Sequence, residues 1–275
     1  MLFPNFEWTQ DPIVPDYAPW QKKDKAYTDS WECVWRTPDD GITGAVVEHP
    51  LEDWDDFVDY APPSPEGERG WGIRDWDADR DRIIESPAKG KLAIGSLRHG
   101  HTFLTLQYIR GYENLIYDMA DENPRLLDLI DMVETFNMGL VNKLMDAGIE
   151  WMGYPEDLGM QIGPMLSPDH FRRFIKPSYQ RLASPAREKG CILHMHSDGD
   201  IRDLCEDILD VGMDVLNLQD LVNGLDWIEA NLKNKACIDL DIDRQSVTRF
   251  GTPEHIDDHI RTWVERLGSP QGRLS

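Results

Sequence analysis

The fold prediction starts from residues 191–219, CILHMHSDGDIRDLCEDILDVGMDVLNLQ. The run CILHMH at 191–196 predicts a buried strand, and residues 200–211 predict a helix that ends at Gly212. DVLNLQ at 214–219 predicts the next strand. Two short apolar strands joined by a helix form a βαβ unit, in which the strands run parallel. This stretch therefore predicts an α/β fold built on a parallel sheet.

The same alternation continues on both sides of this stretch. Strand and helix alternate five times, which favours a (β/α)₈ TIM barrel, with a doubly wound sheet as the runner-up. No GxGxxG follows a predicted strand, which disfavours a nucleotide-binding fold. A helix that opens at Ser167-Pro168 is expected to be interrupted near Pro177 and Pro185, because proline lacks the backbone donor. The other predicted strands are 92–97, 149–154 and 236–241, and the other predicted helices are 104–119, 124–147, 225–232 and 252–267.

Residues 1–90 differ from the rest of the chain because they are rich in Trp, Asp and Pro. Residues 34–36 and 45–48 are separated by turn residues and predict an antiparallel hairpin, and PPSPEGERG at 62–70 predicts a loop. Five strands are too few to close a barrel, so the missing strands must come from residues 1–90 or be absent from this chain. We expect a single barrel domain over residues 1–275, with residues 1–90 as its N-terminal region.

Charge and cysteine usage narrow the class of protein. The chain has 28 basic and 51 acidic residues, a net charge of −23, which disfavours nucleic acid and anionic membrane surfaces as partners. The four cysteines have no CxxC spacing and lie in apolar runs, so we expect reduced thiols rather than a disulfide framework. No signal peptide or membrane span is recognisable in the sequence. Together these features predict a cytoplasmic protein.

Polar side chains follow four successive predicted strands, at the point where each strand ends. In a barrel, catalytic groups gather at the carboxyl ends of the strands and in the loops just after them. We therefore expect these side chains to meet at one rim and to form the candidate site. They are Glu156, Asp157, His194, His196, Asp198, Asn217, Gln219, Asp239 and Asp241.

His194, His196 and Asp198 share one face of their predicted strand, since residues two apart point the same way. His196 and Asp198 suit a divalent metal ion such as Zn²⁺. They equally suit an acid/base pair in which Asp198 orients the His196 imidazole. Two other interpretations stay open: His194 as a hydrogen-bonded core histidine, and Asp198 as the cap of the next helix, with Asp200 as its competitor.

Each candidate residue has a predicted role. For Asp239 and Asp241 a role in the site competes with a role in a turn or a cap, and for Gln219 a structural role is an equal alternative. The predicted catalytic residues are Asp157, Asp198 and Glu156, the predicted metal ligands are His196 and Asp198, and the predicted substrate-binding residues are His194, Asn217, Gln219, Asp239 and Asp241.

Several stretches, in matching order and spacing, resemble the uroporphyrinogen decarboxylase superfamily, and within it the corrinoid-dependent methyltransferase-like branch. The resemblance covers residues from about 29 to 268, and residues 30–57 resemble the Trp-containing hairpin insertion of that branch. The matching stretches are YIRGYENLIYDMADENPRLLDLID (108–131), EDLGMQIGPMLSPDHFRRFIKPSYQRL (156–182), KGCILHMHSDGDIRDLCEDILDVGMDVLNLQ (189–219) and IDLDIDRQSVTRFGTPEHIDDHI (238–260).

The resemblance implies a (β/α)₈ barrel of the uroporphyrinogen decarboxylase type, with zinc at the rim and a corrinoid (cobalamin) carried by a partner protein. The zinc-binding pattern His-x-Cys-Gly of the branch falls on residues 196–199, where His196 is kept and Asp198 replaces the cysteine. An Asp oxygen is a harder ligand than a thiolate, which suggests a methyl ether as the small-molecule substrate. The further ligand expected on the last strand is not found in this sequence.

The sequence departs from the family pattern in two ways. The N-terminal residues 1–17 contain no arginine, whereas the decarboxylases use arginines there to hold the propionates of a porphyrin precursor. Family elements are also expected to be missing at one or both ends, which would leave strand edges open. The N-terminal region or a second copy in a homodimer could cover these edges; otherwise the chain is a fragment with impaired activity.

Three functions remain in competition. The first is a zinc-assisted methyltransferase that moves a methyl group from a small methylated compound, expected to be an O-methyl compound, to a corrinoid protein. The second is metal-free decarboxylation of a tetrapyrrole by a lyase, which the acidic balance and the missing arginines disfavour. The third is a non-catalytic partial barrel that binds a ligand or a partner.

Overall fold

The computed structural model describes residues 16–23, 25–67 and 75–269 of the chain. Two sheets are present in these ranges: an antiparallel sheet ordered β1-β2-β3 and a parallel sheet ordered β4-β5-β6-β7-β8. In chain order the strands are β1 (Tyr27–Thr28), β2 (Val34–Arg36), β3 (Ala45–Glu48), β4 (Ile94–Ser96), β5 (Trp151–Asp157), β6 (Ile192–Asp198), β7 (Val215–Gln219) and β8 (Cys237–Asp241).

Helices follow the strands of the parallel sheet, as the sequence predicts. Short 3₁₀ turns cover Pro19–Gln21, Trp54–Val58 and Pro87–Lys89, and a π-helical turn covers Phe171–Ile175. The α-helices are α1 (Trp76–Glu85), α2 (Phe103–Arg110), α3 (Tyr112–Ala120), α4 (Pro124–Ala147), α5 (Pro168–His170), α6 (Lys176–Glu188), α7 (Cys205–Val211), α8 (Asp220–Asn223), α9 (Leu225–Asn231), α10 (Val247–Phe250) and α11 (Pro253–Leu267).

The two faces of the parallel sheet have different surroundings, because successive residues of a strand point to opposite faces. One face, which we call the apolar face, is buried in the core with the helices. The other, the polar face, is only half-buried and carries most of the candidate site. The apolar face consists of Met152, Tyr154, Leu193, Met195, Leu216, Leu218 and Ile238, and the polar face includes Asp157, His194, His196, Asp198, Asn217, Gln219, Asp239 and Asp241.

Helix α4 shows how the local sequence sets an element. The side chain of Asn123 accepts a hydrogen bond from the backbone N–H of Arg125, and Pro124 occupies the first turn. Gly148 ends the helix in the left-handed region, at φ +85°. The predicted helix over 124–147 is therefore confirmed, and it packs against α6 in the core.

Several predicted boundaries differ from the structure. The helix predicted over 200–211 begins only at Cys205, as α7, because residues 202–204 form a turn. The single helix predicted over 104–119 is two helices, because Gly111 at φ +82° breaks the chain between α2 and α3. Near Pro177 the interruption takes the form of the π-helical turn, and α6 starts at Lys176. The second predicted interruption is wrong, since α6 continues through Pro185 to Glu188.

The predicted hairpin is confirmed as β2 and β3, which pair antiparallel with β1 as a third strand. The carboxylate of Asp29 accepts hydrogen bonds from the backbone N–H groups of Trp31 and Cys33 and from the Trp35 indole. The Trp31 ring contacts Phe136 of α4, with ring centroids 5.0 Å apart. This antiparallel sheet therefore packs onto the main core. Of the predicted 62–70 loop, residues 62–67 contain no helix or strand, and 68–70 lie outside the described residues.

Within the described ranges the parallel sheet stays open, with β4 and β8 at its edges. Five parallel strands in chain order, with helices between them, match part of a (β/α)₈ barrel. The four cysteines are free thiols, and Cys237 alone among them is more than marginally exposed. None of the described helices is both long enough and apolar enough to cross a membrane.

Candidate functional site

The polar face brings the predicted site residues other than Glu156 together at the carboxyl ends of β5 to β8. The parallel register aligns them in two levels, because residues paired across adjacent strands lie side by side. The lower level contains Pro155, His196, Asn217 and Asp239, and the level nearer the rim contains Asp157, Asp198, Gln219 and Asp241.

Three side chains converge at the rim into what we call the His–Asp–His cluster: His99, Asp157 and His196. The Asp157 Oδ1 atom lies 3.3 Å from His99 Nε2 and 3.7 Å from His196 Nε2. Each residue offers one ligand atom, and these atoms all lie within 4.8 Å of one another. Two imidazoles and one carboxylate form the donor set of many catalytic zinc sites, which leave a fourth position open. The residues present therefore fit a zinc ion.

Asp157 is held as an anion in this cluster. Burial raises the pKa of Asp157, but the hydrogen bond and charge of His99 and the backbone N–H of Asp198 outweigh it, so the pKa lies below its usual value. The same contact with Asp157 raises the pKa of His99 more than burial lowers it. The pair is thus a charge-assisted contact in the metal-free protein.

His99 is not among the site residues predicted from the sequence, although the same reasoning applies to it. Strand β4 ends at Ser96, and the following Leu-Arg-His-Gly turn brings His99 to the rim. The turn is fixed by the backbone N–H of Gly100, which donates to the carbonyl of Pro155 on β5 at 3.0 Å. A polar residue just after the predicted strand 92–97 was the available signal.

Asp198 lies next to the cluster but has its own partner. Its Oδ1 atom is 3.5 Å from His196 Nε2, while Arg244 Nη2 donates to both of its carboxylate oxygens at 3.0 and 3.1 Å. The structure does not show Asp198 as a helix cap; Asp200 instead accepts the backbone N–H of Arg202. The role of Asp198 as a metal ligand stays a prediction, and it requires Asp198 to leave Arg244.

Two glycines set the distance between β5 and β6 just beyond these carboxylates. Gly159 donates its backbone N–H to the Asp198 carbonyl at 3.2 Å. A Cβ atom at Gly199, which has φ +81°, would lie 2.1 Å from the carbonyl carbon of Gly159. A Cβ atom at Gly159 would lie 2.5 Å from the carbonyl carbon of Gly199. Only glycine allows the two backbones to approach this closely.

The remaining polar-face residues contact one another. His194 Nε2 lies 3.2 Å from Asp239 Oδ2, and the His194 ring contacts Trp151 with centroids 5.3 Å apart. The Gln219 side-chain oxygen accepts the backbone N–H of Gly199 at 3.0 Å. Asp241 lies 3.3 Å from the guanidinium of Arg244. Their predicted role in substrate binding therefore requires these contacts to open or to be shared.

Glu156 lies elsewhere, although it is adjacent to Asp157. It is on the opposite side of the sheet and completely buried. Its carboxylate accepts the Tyr179 hydroxyl and three backbone N–H groups at the start of α2, at 2.8 to 3.2 Å. Burial raises the pKa of Glu156, and these hydrogen bonds only partly offset the effect. Glu156, predicted as a catalytic residue, therefore does not lie at the rim. Its enclosed, hydrogen-bonded oxygens hold the start of α2 instead.

Comparison with known proteins supports the fold. A methyltransferase from Methanosarcina mazei has a similar structure, with a TM-score of 0.59 and 15% sequence identity over 89% of this chain and 68% of that chain. A comparison with curated proteins finds no match. The uroporphyrinogen decarboxylase (URO-D) family profile matches residues 40–273, which include β3, the five parallel strands and every residue of the His–Asp–His cluster. The chain therefore belongs to the uroporphyrinogen decarboxylase family.

Proposed function

We propose that this chain is a zinc-assisted methyltransferase that moves a methyl group from a small O-methyl compound to a corrinoid carried by a partner protein. The observation that carries the proposal is the His–Asp–His cluster, at the carboxyl ends of parallel strands. Family membership points to an enzyme of the decarboxylase or methyltransferase kind. The similar structure of a methyltransferase from Methanosarcina mazei supports the second kind.

In this proposal His99, Asp157 and His196 hold the zinc ion. When bound, zinc supplies a Lewis acid that stabilises the oxygen anion left after the methyl group departs. Asp157 contributes a carboxylate that is already ionised, because its pKa is lowered in the metal-free protein. This hard oxygen ligand, with no thiolate in the cluster, favours an oxygen-containing substrate over a thiol.

The residues around the cluster determine the polarity of the proposed site. Arg244 lies beside the cluster, where it pairs with Asp198 and Asp241. A substrate that enters beside these groups meets one exposed guanidinium and several hydrogen-bond acceptors. We infer that Asp239, at the lower level, and His194, one level below it, contact the part of the substrate that enters deepest.

A partner protein that carries a corrinoid must approach the rim closely. The loop that follows Asp157 at the end of β5 exposes two apolar side chains, Met160 at 43% and Ile162 at 94%. Neighbouring exposed apolar groups, unlike single scattered ones, favour a protein–protein contact. We infer that the corrinoid protein docks there. We also place the reaction in the cytoplasm, where free thiols such as those of this chain remain reduced.

The first test is the metal content of the purified chain beside His99→Ala, Asp157→Ala and His196→Ala variants. We expect about one zinc ion per chain, as for a single catalytic site, and loss of zinc in each variant with the fold retained. Methyl transfer from methoxylated compounds to cob(I)alamin is then measured on the zinc-loaded protein. Absence of zinc after purification with excess zinc would contradict the proposal.

The docking proposal has its own test. Ile162→Asp is expected to slow transfer to a protein-bound corrinoid and to leave transfer to free cob(I)alamin unchanged. If Ile162→Asp transfers the methyl group to the protein-bound corrinoid as fast as wild type does, Ile162 is excluded from the docking surface.

A further inference from the structure

Asn217 lies between His196 and Asp239 on the polar face, and its amide contacts both neighbouring strands. One amide atom, Nδ2, lies 3.0 Å from the backbone carbonyl oxygen of Asp239. The other, Oδ1, contacts Nδ1 of His196. The orientation of this amide follows from chemistry, because a backbone carbonyl oxygen only accepts hydrogen bonds and therefore faces the NH₂ group.

The orientation of the amide determines where the proton of His196 lies. Oδ1 of Asn217 can only accept, so Nδ1 of His196 must donate and must carry the hydrogen. In the neutral ring Nε2 then has the lone pair. That atom lies 3.7 Å from Asp157 Oδ1 and 3.5 Å from Asp198 Oδ1, too far for strong hydrogen bonds that would favour a proton on Nε2.

His194 provides an internal contrast on the same strand face. Its Nε2 atom lies 3.2 Å from the carboxylate of Asp239, which accepts a hydrogen bond, so Nε2 carries the hydrogen there. Two histidines separated by one residue are thus set in opposite tautomers by different partners. Asp239 takes part in both, through its carboxylate with His194 and through its backbone carbonyl with Asn217.

We propose that Asn217 is a positioning residue that fixes His196 as the Nδ1–H tautomer and directs the Nε2 lone pair into the His–Asp–His cluster. The inference rests on the proposed function in that the cluster is taken to hold zinc. A zinc ion binds the deprotonated nitrogen of an imidazole whose other nitrogen donates a hydrogen bond. Asn217 therefore acts through His196 rather than on the substrate, which differs from its predicted role in substrate binding.

The tautomers are measured directly by NMR on metal-free protein with ¹⁵N-labelled histidine, above the pH at which the rings are protonated. His194→Gln and His196→Gln variants assign the two rings. We expect His196 as Nδ1–H and His194 as Nε2–H in wild type. A wild-type His196 in the Nε2–H form would overturn the proposal without reference to zinc or activity.

Variants at position 217 test the cause. Asn217→Leu removes the acceptor, so His196 is expected to lose its preference for Nδ1–H, while Asn217→Asp keeps an acceptor and is expected to retain it. Gln219→Leu on the same strand is the matched control, because Gln219 contacts Gly199 and not His196. An unchanged His196 tautomer in Asn217→Leu would exclude Asn217 as its cause.

Zinc affinity, measured by chelator competition, gives the functional consequence. Asn217→Leu is expected to bind zinc about 10- to 100-fold more weakly, the usual effect of losing a partner of a liganding histidine, and Asn217→Asp is expected to restore binding. Equal zinc affinity in wild type and Asn217→Leu would overturn the positioning role. If the tautomers are as expected but wild type binds no zinc, the role of Asn217 in fixing the tautomer stands and the zinc-dependent function fails.

Discussion

Glu156 and Asp157 are adjacent acids on β5, yet they belong to opposite faces of the sheet and have opposite surroundings. Glu156 is enclosed in the core and bonded to the start of α2. Asp157 is half-buried at the rim, where it contacts His99 and His196. One step along a strand therefore separates a group that holds the fold from a group that is available for chemistry.

The comparison also shows how the two faces depend on each other. Glu156 fixes the first turn of α2, and the turn that carries His99 leads directly into that helix. The buried acid thus helps to determine where one member of the His–Asp–His cluster lies. Burial, hydrogen bonding and contact with ionisable groups distinguish the two acids, whereas residue type does not.

The largest expected effect is on the free energy of unfolding in Glu156→Ala. The variant leaves buried N–H groups of α2 and the Tyr179 hydroxyl without their acceptor. We expect a loss of about 3–5 kcal/mol, measured by urea denaturation. Glu156→Gln keeps one acceptor oxygen and is expected to lose less. A loss below that of Asp157→Ala would contradict the assignment of Glu156 to the fold.

The next effect is on zinc binding and methyl transfer in Asp157→Ala. Removal of this ligand is expected to weaken zinc binding by at least about tenfold, the lower limit seen even for residues that only support a metal ligand. Methyl transfer is expected to fall with it, while the urea midpoint stays close to that of wild type. Retained zinc affinity would exclude Asp157 from the metal site.

A smaller effect, of opposite sign, is expected in Arg244→Ala. This change frees Asp198, whose Oδ1 atom lies 3.5 Å from His196 Nε2. If Asp198 can serve as a ligand, zinc binding tightens by up to about fivefold, because an exposed ion pair worth at most about 1 kcal/mol no longer has to break. The double variant Arg244→Ala/Asp198→Ala is the control. Identical affinities in both variants would remove Asp198 from the ligand set.

The smallest effect is the pH dependence of stability in the metal-free protein. The lowered pKa of Asp157 means that the stability from its contact with His99 is lost as pH falls below 3.8 and through the folded-state pKa. The raised pKa of His99 means that this stability is complete below 6.5 and lost as pH rises through the folded-state pKa. Since His99 is partly exposed, we expect less than about 1 kcal/mol.

Urea denaturation between about pH 3 and about pH 8 measures this dependence, because that range covers the ordinary pKa values of Asp and His. Asp157→Asn and His99→Gln are each expected to remove the same contribution at intermediate pH. A pH profile that is identical in wild type and both variants would show that the pair contributes no measurable stability.

The sequence predicts the fold well where local signals decide it. The alternation of apolar strands with helices, and the capping residues Asn123 and Gly148 of α4, are properties of neighbouring residues. The sequence does not predict the break at Gly111, because the apolar pattern continues across it and glycine inside a helix is tolerated in many contexts. The interruption predicted at Pro185 is wrong, because Pro185 lies only three residues before α6 ends.

The site is predicted only in part, because its contacts join distant parts of the chain. The sequence correctly brings Asp157, His196 and Asp198 to one rim, where β5 and β6 end. It could not show that Arg244 pairs with Asp198, that Asn217 contacts Nδ1 of His196, or that the Glu156 side chain is buried in the core. Each of these depends on packing between elements, which periodicity does not encode.

The close contact of Gly159 with Gly199 has a consequence for how such a site changes over evolutionary time. The backbones of the two loops, rather than the side chains, set the spacing between the ends of β5 and β6. The residue at position 198 can then be exchanged without moving its neighbours. In the proposed metal site, an exchange between Cys and Asp at position 198 would change the hardness of a ligand there and leave the spacing of the two strands as it is.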